Sequence, residues 1–169
     1  MNHGRFAPSP TGRLHLGNLR TALIAWRSAR ASHGAFTVRM EDLDRVTSSP
    51  AHAEQQLEDL AALGIDWDGE VVFQSERFDR YDAAIEQLIA TGLTYPCFCS
   101  RKEIRDAAQA PHGTEVVYPG TCRDLSVGEQ RDRWATGRAP ALRLKSTGEV
   151  MTFQDRVLGT VHGSVHDVV

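Results

Sequence analysis

The residues able to do chemistry fall into three groups. Pro8-Ser9-Pro10-Thr11-Gly12 leads through Arg13 and Leu14 into His15-Leu16-Gly17-Asn18. Each X-Pro step keeps the preceding residue out of the helical region, so this stretch reads as a rigid loop feeding a helix. The first turn of such a helix presents unpaired backbone N–H groups and a positive dipole end, which attract phosphate. Gly17 lets a nucleotide approach the backbone, and His15 has a ring N–H to offer to charge developing on a phosphoryl group. Pro8, Ser9, Pro10, Thr11, Gly12, His15, Gly17 and Asn18 are the candidate nucleotide contacts, with His15 and Asn18 nearest to catalysis. On residue types alone, a proline-rich loop that only caps a helix reads at least as well.

The second group is Cys97-x-Cys99 followed by Tyr118 and Cys122, three thiols and a phenol in two pairs joined by a loop. Tetrahedral zinc takes four ligands of this kind. His112 and a water compete for the fourth position, and three buried apolar cysteines without metal are the plain alternative. An odd number of cysteines in one short window fits a metal in a reducing compartment better than a disulfide framework. The third group is Arg5 and Glu41, an arginine fork for a carboxylate and an acceptor for an ammonium. A surface arginine and a solvated acidic run, Glu41-Asp42-Asp44, are the alternative there.

The elements that must position these groups are legible as periodicity. Arg5-Phe6-Ala7 reads as a short strand. Leu16, Leu19, Leu23 and Trp26 recur on one face of a helix reaching about Ala31, and Phe36, Val38 and Met40 alternate as a strand that delivers Glu41 into a loop. Strand, helix, strand predicts a parallel βαβ unit. Ser49-Pro50 opens a helix containing Leu57, Leu60 and Leu63, closed by Gly64. A further helix is expected over about Glu76 to Thr91, with Phe78, Tyr81, Ile85, Leu88 and Ile89 inward. The pattern breaks at Thr94-Tyr95-Pro96. Capping boxes at Ser100/Glu103 and Ser126/Glu129 open two short helices. Ala141 to Lys145, Val150 to Gln154 and Val157 to Val161 read as strands, with a turn at Ser146-Thr147-Gly148.

Arg5 through Gly12, continued by His15-Leu16-Gly17-Asn18, resembles the first signature of the class I aminoacyl-tRNA synthetases in its glutamate-specific form. The resemblance implies an α/β fold, a Rossmann-type class I synthetase catalytic domain with an inserted zinc-binding module. It further implies that His15 and the helix N-terminus stabilise charge at the α-phosphate of ATP, bound with Mg2+. By similarity the glutamate contacts fall on Arg5, Phe6, Ala7, Pro8, Ser9 and Glu41. The tyrosine-containing cysteine pattern resembles the structural zinc site of the glutamyl-Q tRNA(Asp) synthetases, a shortened branch of that family, which implies Cys97, Cys99, Tyr118 and Cys122 as ligands. Leu63 to Gly69 and Gln74 to Arg77 look like the same branch. The partners implied are L-glutamate, ATP and a tRNA(Asp) carrying queuosine, with Arg101, Lys102, Arg105 and Arg123 as a phosphate-contacting patch. A fragment of a discriminating glutamyl-tRNA synthetase and a catalytically silent nucleotide- or zinc-binding module remain alternatives.

The chain has 169 residues, 41% hydrophobic and 24% charged, which excludes disorder and fibre. A net charge of -3 argues against a whole-surface nucleic-acid binder but leaves room for a local patch. The first 96 residues carry nine basic and thirteen acidic side chains and the remainder ten and nine, so a polyanion-facing surface leans to the second part. Residues 1–96 are expected to form half of the catalytic fold, 97–123 the zinc module, and 124–169 a path back towards the fold. Neither lysine, Lys102 or Lys145, sits in the lysine-containing second signature of class I enzymes, so the 169 residues by themselves are expected to lack part of the ATP clamp. No stretch approaches the roughly 20 apolar residues of a membrane span. A cytoplasmic monomer with no membrane partner is the expectation.

Overall fold

The structure is a computed structural model that describes residues 3–107, 118–146 and 148–164. It divides between Asp82 and Ala83 into two units. In the first, β1 (Gly4–Phe6), α1 (Leu16–Ala31) and β2 (Phe36–Met40) form the expected parallel βαβ unit, with Gly4 opposite Phe36 and Phe6 opposite Val38. After α2 (Pro50–Ala62), β3 (Val72–Phe73) joins the other edge of β2 in parallel, giving the order β1-β2-β3. The alternation in β2 is a burial pattern: Phe36, Val38 and Met40 are fully buried while Thr37 and Arg39 are half-buried.

The core-facing side of α1 differs from the leucine stripe. Ala22 and Ala29 are buried, Leu19, Ala25 and Trp26 pack against the core, and Leu16 and Leu23 are exposed. The reason is distance. Gly4 of β1 lies so close to α1 that a Cβ there would sit 2.8 Å from the Ala29 Cβ and 3.1 Å from the Ala25 carbonyl oxygen, so alanines must form the contact. In α2 the buried positions are Ala53, Gln56 and Leu60, while Leu63 is exposed at the helix end. Gly64 closes that helix at φ +73°, and the following Ile65 N–H donates to the Leu60 carbonyl at 3.0 Å.

The segment after α2 behaves as a side-chain extension of the sheet. Asp68 donates its N–H to the Phe36 carbonyl at 2.7 Å, and its carboxylate accepts from the Phe36 N–H at 2.7 Å and from Arg30 at 2.6 Å. Asp66 accepts from the Trp26 indole at 2.6 Å. Both carboxyls are held below the ordinary aspartate range, Asp68 chiefly by Arg30 and Asp66 chiefly by Trp26.

α3 (Phe78–Ala90) follows a 3-10 turn over Gln74–Glu76. The expected inward stripe is not buried: Phe78, Ile85 and Ile89 are exposed, and Tyr81 and Leu88 half-buried. In the second unit the helical pattern is broken at Thr94-Tyr95-Pro96 as expected, and these residues form an unexpected strand, β4 (Thr94–Cys97), paired antiparallel with β5 (Ala141–Leu144). A proline is tolerated because this two-stranded ribbon leaves an edge on which a missing N–H costs nothing.

α4 (Arg101–Ala107) and α5 (Val127–Ala135) both start at their expected capping boxes. At the first, bonds from Ser100 and then Arg138 pull the Glu103 carboxyl down to about 2. β6 (Val150–Asp155) and β7 (Gly159–Ser164) form a hairpin. Its turn follows Asp155, whose carboxylate accepts from the Val157 and Leu158 N–H groups at 2.8 Å each, while the turn expected at Ser146-Thr147-Gly148 includes Thr147, which lies outside the described residues. β7 therefore starts later than Val157, and β5 turns back to β4. No helix among the described residues is long and apolar enough to cross a membrane.

Gly4→Ala tests the close packing of β1 on α1. The added methyl group forces the strand off the helix, and an overpacking cost of about 1–3 kcal/mol is expected in chemical denaturation followed by circular dichroism. An unchanged midpoint would show that the contact relaxes freely.

Candidate functional site

β1 and β2 run parallel, so their carboxyl ends reach the same edge of the sheet, the edge on which open α/β sheets bind ligands. The chain leaves β1 through Ala7 and Pro8 and leaves β2 through Glu41. The two exits are joined: the Glu41 N–H donates to the Pro8 carbonyl at 2.9 Å. Arg5 and Ser9 are exposed and Ala7 is half-buried beside this junction, whereas Phe6 is 7% exposed with its ring in the core, leaving only its backbone for a ligand. Glu41 is half-buried and forms an ion pair with Arg39. Asp42, next along, has a structural task. Its carboxylate accepts from the Ser75 N–H at 2.9 Å and from the Ser75 hydroxyl, fixing the 3-10 turn. Burial pushes this carboxyl up, and the Ser75 bonds outweigh it, leaving it below the ordinary aspartate range.

The loop from Pro8 to Gly12 is held from beneath. The Pro10 carbonyl accepts from the Ser49 N–H at 3.0 Å. Gln56 of α2 donates its amide to the carbonyls of Ser9 at 3.1 Å and Gly12 at 2.6 Å. Sequence periodicity missed Gln56 because it reads as one more polar residue, although its place in the Ala53/Leu60 stripe was available as a signal. Pro8 and Pro10 are buried, Gly12 is half-buried, and Ser9 and Thr11 are exposed.

His15 is the N-cap of α1. Its Nδ1 accepts from the Gly17 N–H at 3.1 Å, and the Asn18 side-chain oxygen accepts from the His15 N–H at 3.2 Å. An Nδ1 that accepts an N–H carries no proton, so in the neutral ring the proton is on Nε2, free to be donated from an exposed position. The cap thus sets the tautomer. The Asn18 side-chain oxygen is thus engaged in the cap. The cap itself favours glycine at position 17: a Cβ there would lie 2.9 Å from the His15 Cε1 and 3.1 Å from its Nδ1.

In the second unit Cys97, Cys99 and Cys122 place their sulfurs within 4.8 Å of one another, with Cys99 and Cys122 3.6 Å apart. Tetrahedral zinc with Zn–S bonds of about 2.3 Å needs sulfurs roughly 3.8 Å apart, so the three fit such an ion. The Tyr118 hydroxyl oxygen lies 3.2 Å from the Cys97 sulfur and accepts from the Cys122 N–H at 2.9 Å, which brings it to the same cluster. His112, the rival ligand, lies outside the described residues. Burial and then the neighbouring Cys122 push the Cys99 thiol up to about 11, and burial raises the Tyr118 phenol as well. Burial also raises Cys97, but its bond with Tyr118 and the nearby Arg143 leave that thiol below its ordinary value. A dication supplies the positive charge that thiolates packed this closely require. Arg143 stacks on the Tyr118 ring at 4.1 Å. Arg101, Lys102 and Arg105 are exposed on α4, and Arg123 is half-buried against Tyr95.

The chain matches the family of tRNA synthetases class I (E and Q), catalytic domain, over residues 2–169. It is 55% identical to a glutamyl-Q tRNA(Asp) synthetase of Nocardia farcinica, a match covering 98% of this chain and 53% of that protein. It is 42% identical to a glutamate–tRNA ligase of Hydrogenobaculum sp., covering 96% of this chain and 36% of the other. The crystal structure of a glutamate tRNA ligase from Elizabethkingia meningosepticum, in complex with its amino acid, is similar at a TM-score of 0.76 and 27% identity, covering 99% of this chain and 37% of that one. The chain spans about half the length of the glutamyl-Q relatives it matches.

Gly17→Ala is expected to push the His15 ring off its cap while leaving the helix formed. In 15N-resolved imidazole spectra the neutral ring should lose its single Nε2–H form and show a tautomer mixture. Retention of one tautomer would mean that the cap does not set it.

Proposed function

Because this chain belongs to the catalytic-domain family of class I tRNA synthetases of the glutamate and glutamine type, we propose that it activates L-glutamate with Mg2+-bound ATP to glutamyl-adenylate and passes the glutamyl group to the queuosine of tRNA(Asp), acting as a monomer. The observation that carries the reading is the meeting of Glu41 and Pro8 at the mouth of a loop that runs into a histidine-capped helix. A glutamate carboxylate oxygen attacks the α-phosphorus and pyrophosphate leaves. Arg5 takes a substrate carboxylate, and Glu41 exchanges its pairing with Arg39 for the substrate ammonium. The His15 Nε2–H donates to the α-phosphate oxygen that gathers charge. The backbone from Pro8 to Gly12 follows the nucleotide.

Residues 1–96 form the first half of the catalytic fold in this proposal, 97–123 the metal module and 124–169 the return. Cys97, Cys99, Cys122 and Tyr118 hold zinc, supported by the sulfur spacing. The metal, when bound, ties β4 to the segment around Tyr118 and takes no part in the chemistry. Transfer to queuosine follows the naming of the glutamyl-Q relatives, supported by 55% identity to one of them. The second reading, glutamate transfer to the end of a tRNA, is favoured by the likeness to glutamate–tRNA ligases.

Two measurements test this. The protein that carries this domain should exchange pyrophosphate into ATP when given glutamate and no tRNA, and His15→Ala should slow the exchange by roughly 10²–10³-fold, the usual loss for one such donor. Strict dependence on added tRNA would favour the second reading. Metal analysis should find one zinc per chain, lost in Cys99→Ser together with the order of the second unit's cysteine segment, since structural zinc contributes on the order of 10–16 kcal/mol of apparent binding energy in finger peptides. Zinc-free protein purified without chelator would remove the metal from the proposal.

A further inference from the structure

Gln56 stands on a face of α2 where its neighbours Ala53 and Leu60 are packed in the core, yet it is amide rather than apolar and 2% exposed. Its Nε2 faces two carbonyl oxygens, Ser9 at 3.1 Å and Gly12 at 2.6 Å, and a group facing two acceptors must be the donor, which fixes the orientation of the amide. Its Oε1 is buried with no hydrogen-bond partner. Burying an amide oxygen unpaired is costly, so packing alone does not favour glutamine here over an apolar residue of the same length.

The two bonds bracket the loop between Ser9 and Gly12. Together with the Glu41 N–H on Pro8 and the Ser49 N–H on Pro10, they turn the carbonyl oxygens of Pro8, Ser9, Pro10 and Gly12 inward. A carbonyl edge facing the ligand would repel phosphate, and a carbonyl edge turned away removes that repulsion. We propose that Gln56 is a positioning residue for the nucleotide triphosphate, a latch that holds the carbonyl edge of the loop away from the phosphates. The latch rests on the adenylate-forming function proposed above but makes its own prediction about loop order.

Three proteins separate the latch from a packing role: the wild-type chain, Gln56→Met, which keeps length and removes the donor, and Gln56→Glu, which replaces the donor by an acceptor. Gln56→Met is expected to stay folded by circular dichroism, because the unpaired Oε1 it removes offsets part of the loss of two donors. Its loop amides from Thr11 to Arg13 should exchange hydrogen faster, and its ATP affinity by calorimetry should fall roughly tenfold, as loss of two modest hydrogen bonds allows. Glutamate affinity, carried by Arg5 and Glu41, should fall by less than about threefold on the same scale. Gln56→Glu should weaken ATP further than Gln56→Met. Unchanged loop exchange in Gln56→Met overturns the latch whatever the ligands do, and equal losses for ATP and glutamate assign Gln56 to general packing. If the wild-type chain takes no ATP while Gln56→Met still loosens the loop, the nucleotide role is overturned together with the adenylation reading, and Gln56 is a loop anchor.

Discussion

The loop after β1 turns the carbonyl oxygens of Pro8, Ser9, Pro10 and Gly12 inward, and each carbonyl taken from water needs a donor behind it. That requirement organises the first unit. The donors come from the end of β2, from the N-cap of α2 and from a buried amide about two turns further along that helix, which ties the loop to both elements. The parallel pairing of β1 with β2 sets the distance between Pro8 and Glu41, and the close approach of Gly4 to Ala25 and Ala29 sets the depth of α1 beneath the loop. His15 then lies where its own helix dictates its tautomer.

The acidic run after β2 divides its labour in the same economical way. Glu41 sits at the strand exit in an ion pair with Arg39. Asp42 is spent on Ser75, and Asp44 accepts from the Val46 N–H at 3.0 Å and the Thr47 hydroxyl at 2.8 Å. Three carboxylates within four residues thus have three environments. Their charges alone could not have distinguished them, because what separates them is which donors the fold brings near.

The second unit is built around a different problem. Tyr95, Cys97, Phe98, Tyr118 and Cys122 make a small buried cluster, and burial holds the Cys99 thiol and the Tyr118 phenol away from ionisation. The geometry suits a dication, whose charge makes thiolates stable where burial disfavours them. Arg143 over the Tyr118 ring adds positive charge at the rim.

The elements with strong local signals were legible in the sequence. α1 and β2 begin and end where their periodicity indicates, α2 begins at Ser49-Pro50, and both short helices start at their capping boxes, because caps, prolines and alternation act within a few residues. For the loop, His15, Glu41 and the cysteine pattern, residue type and spacing marked candidates but left plainer readings open, and the resemblance of the whole string to a family chose between them. What depended on distant partners was not legible. Leu16 and Leu23 look like core residues until Gly4 brings the sheet against the alanines instead. Pro96 marks the break in the helical pattern, but the strand it belongs to exists only because β5 supplies a partner. Gln56 looks like a solvated glutamine until the loop folds over it, 44 and 47 positions away in the chain. Local propensity is written in neighbouring residues, whereas burial and donor–acceptor pairing between remote segments exist only once the chain has closed on itself.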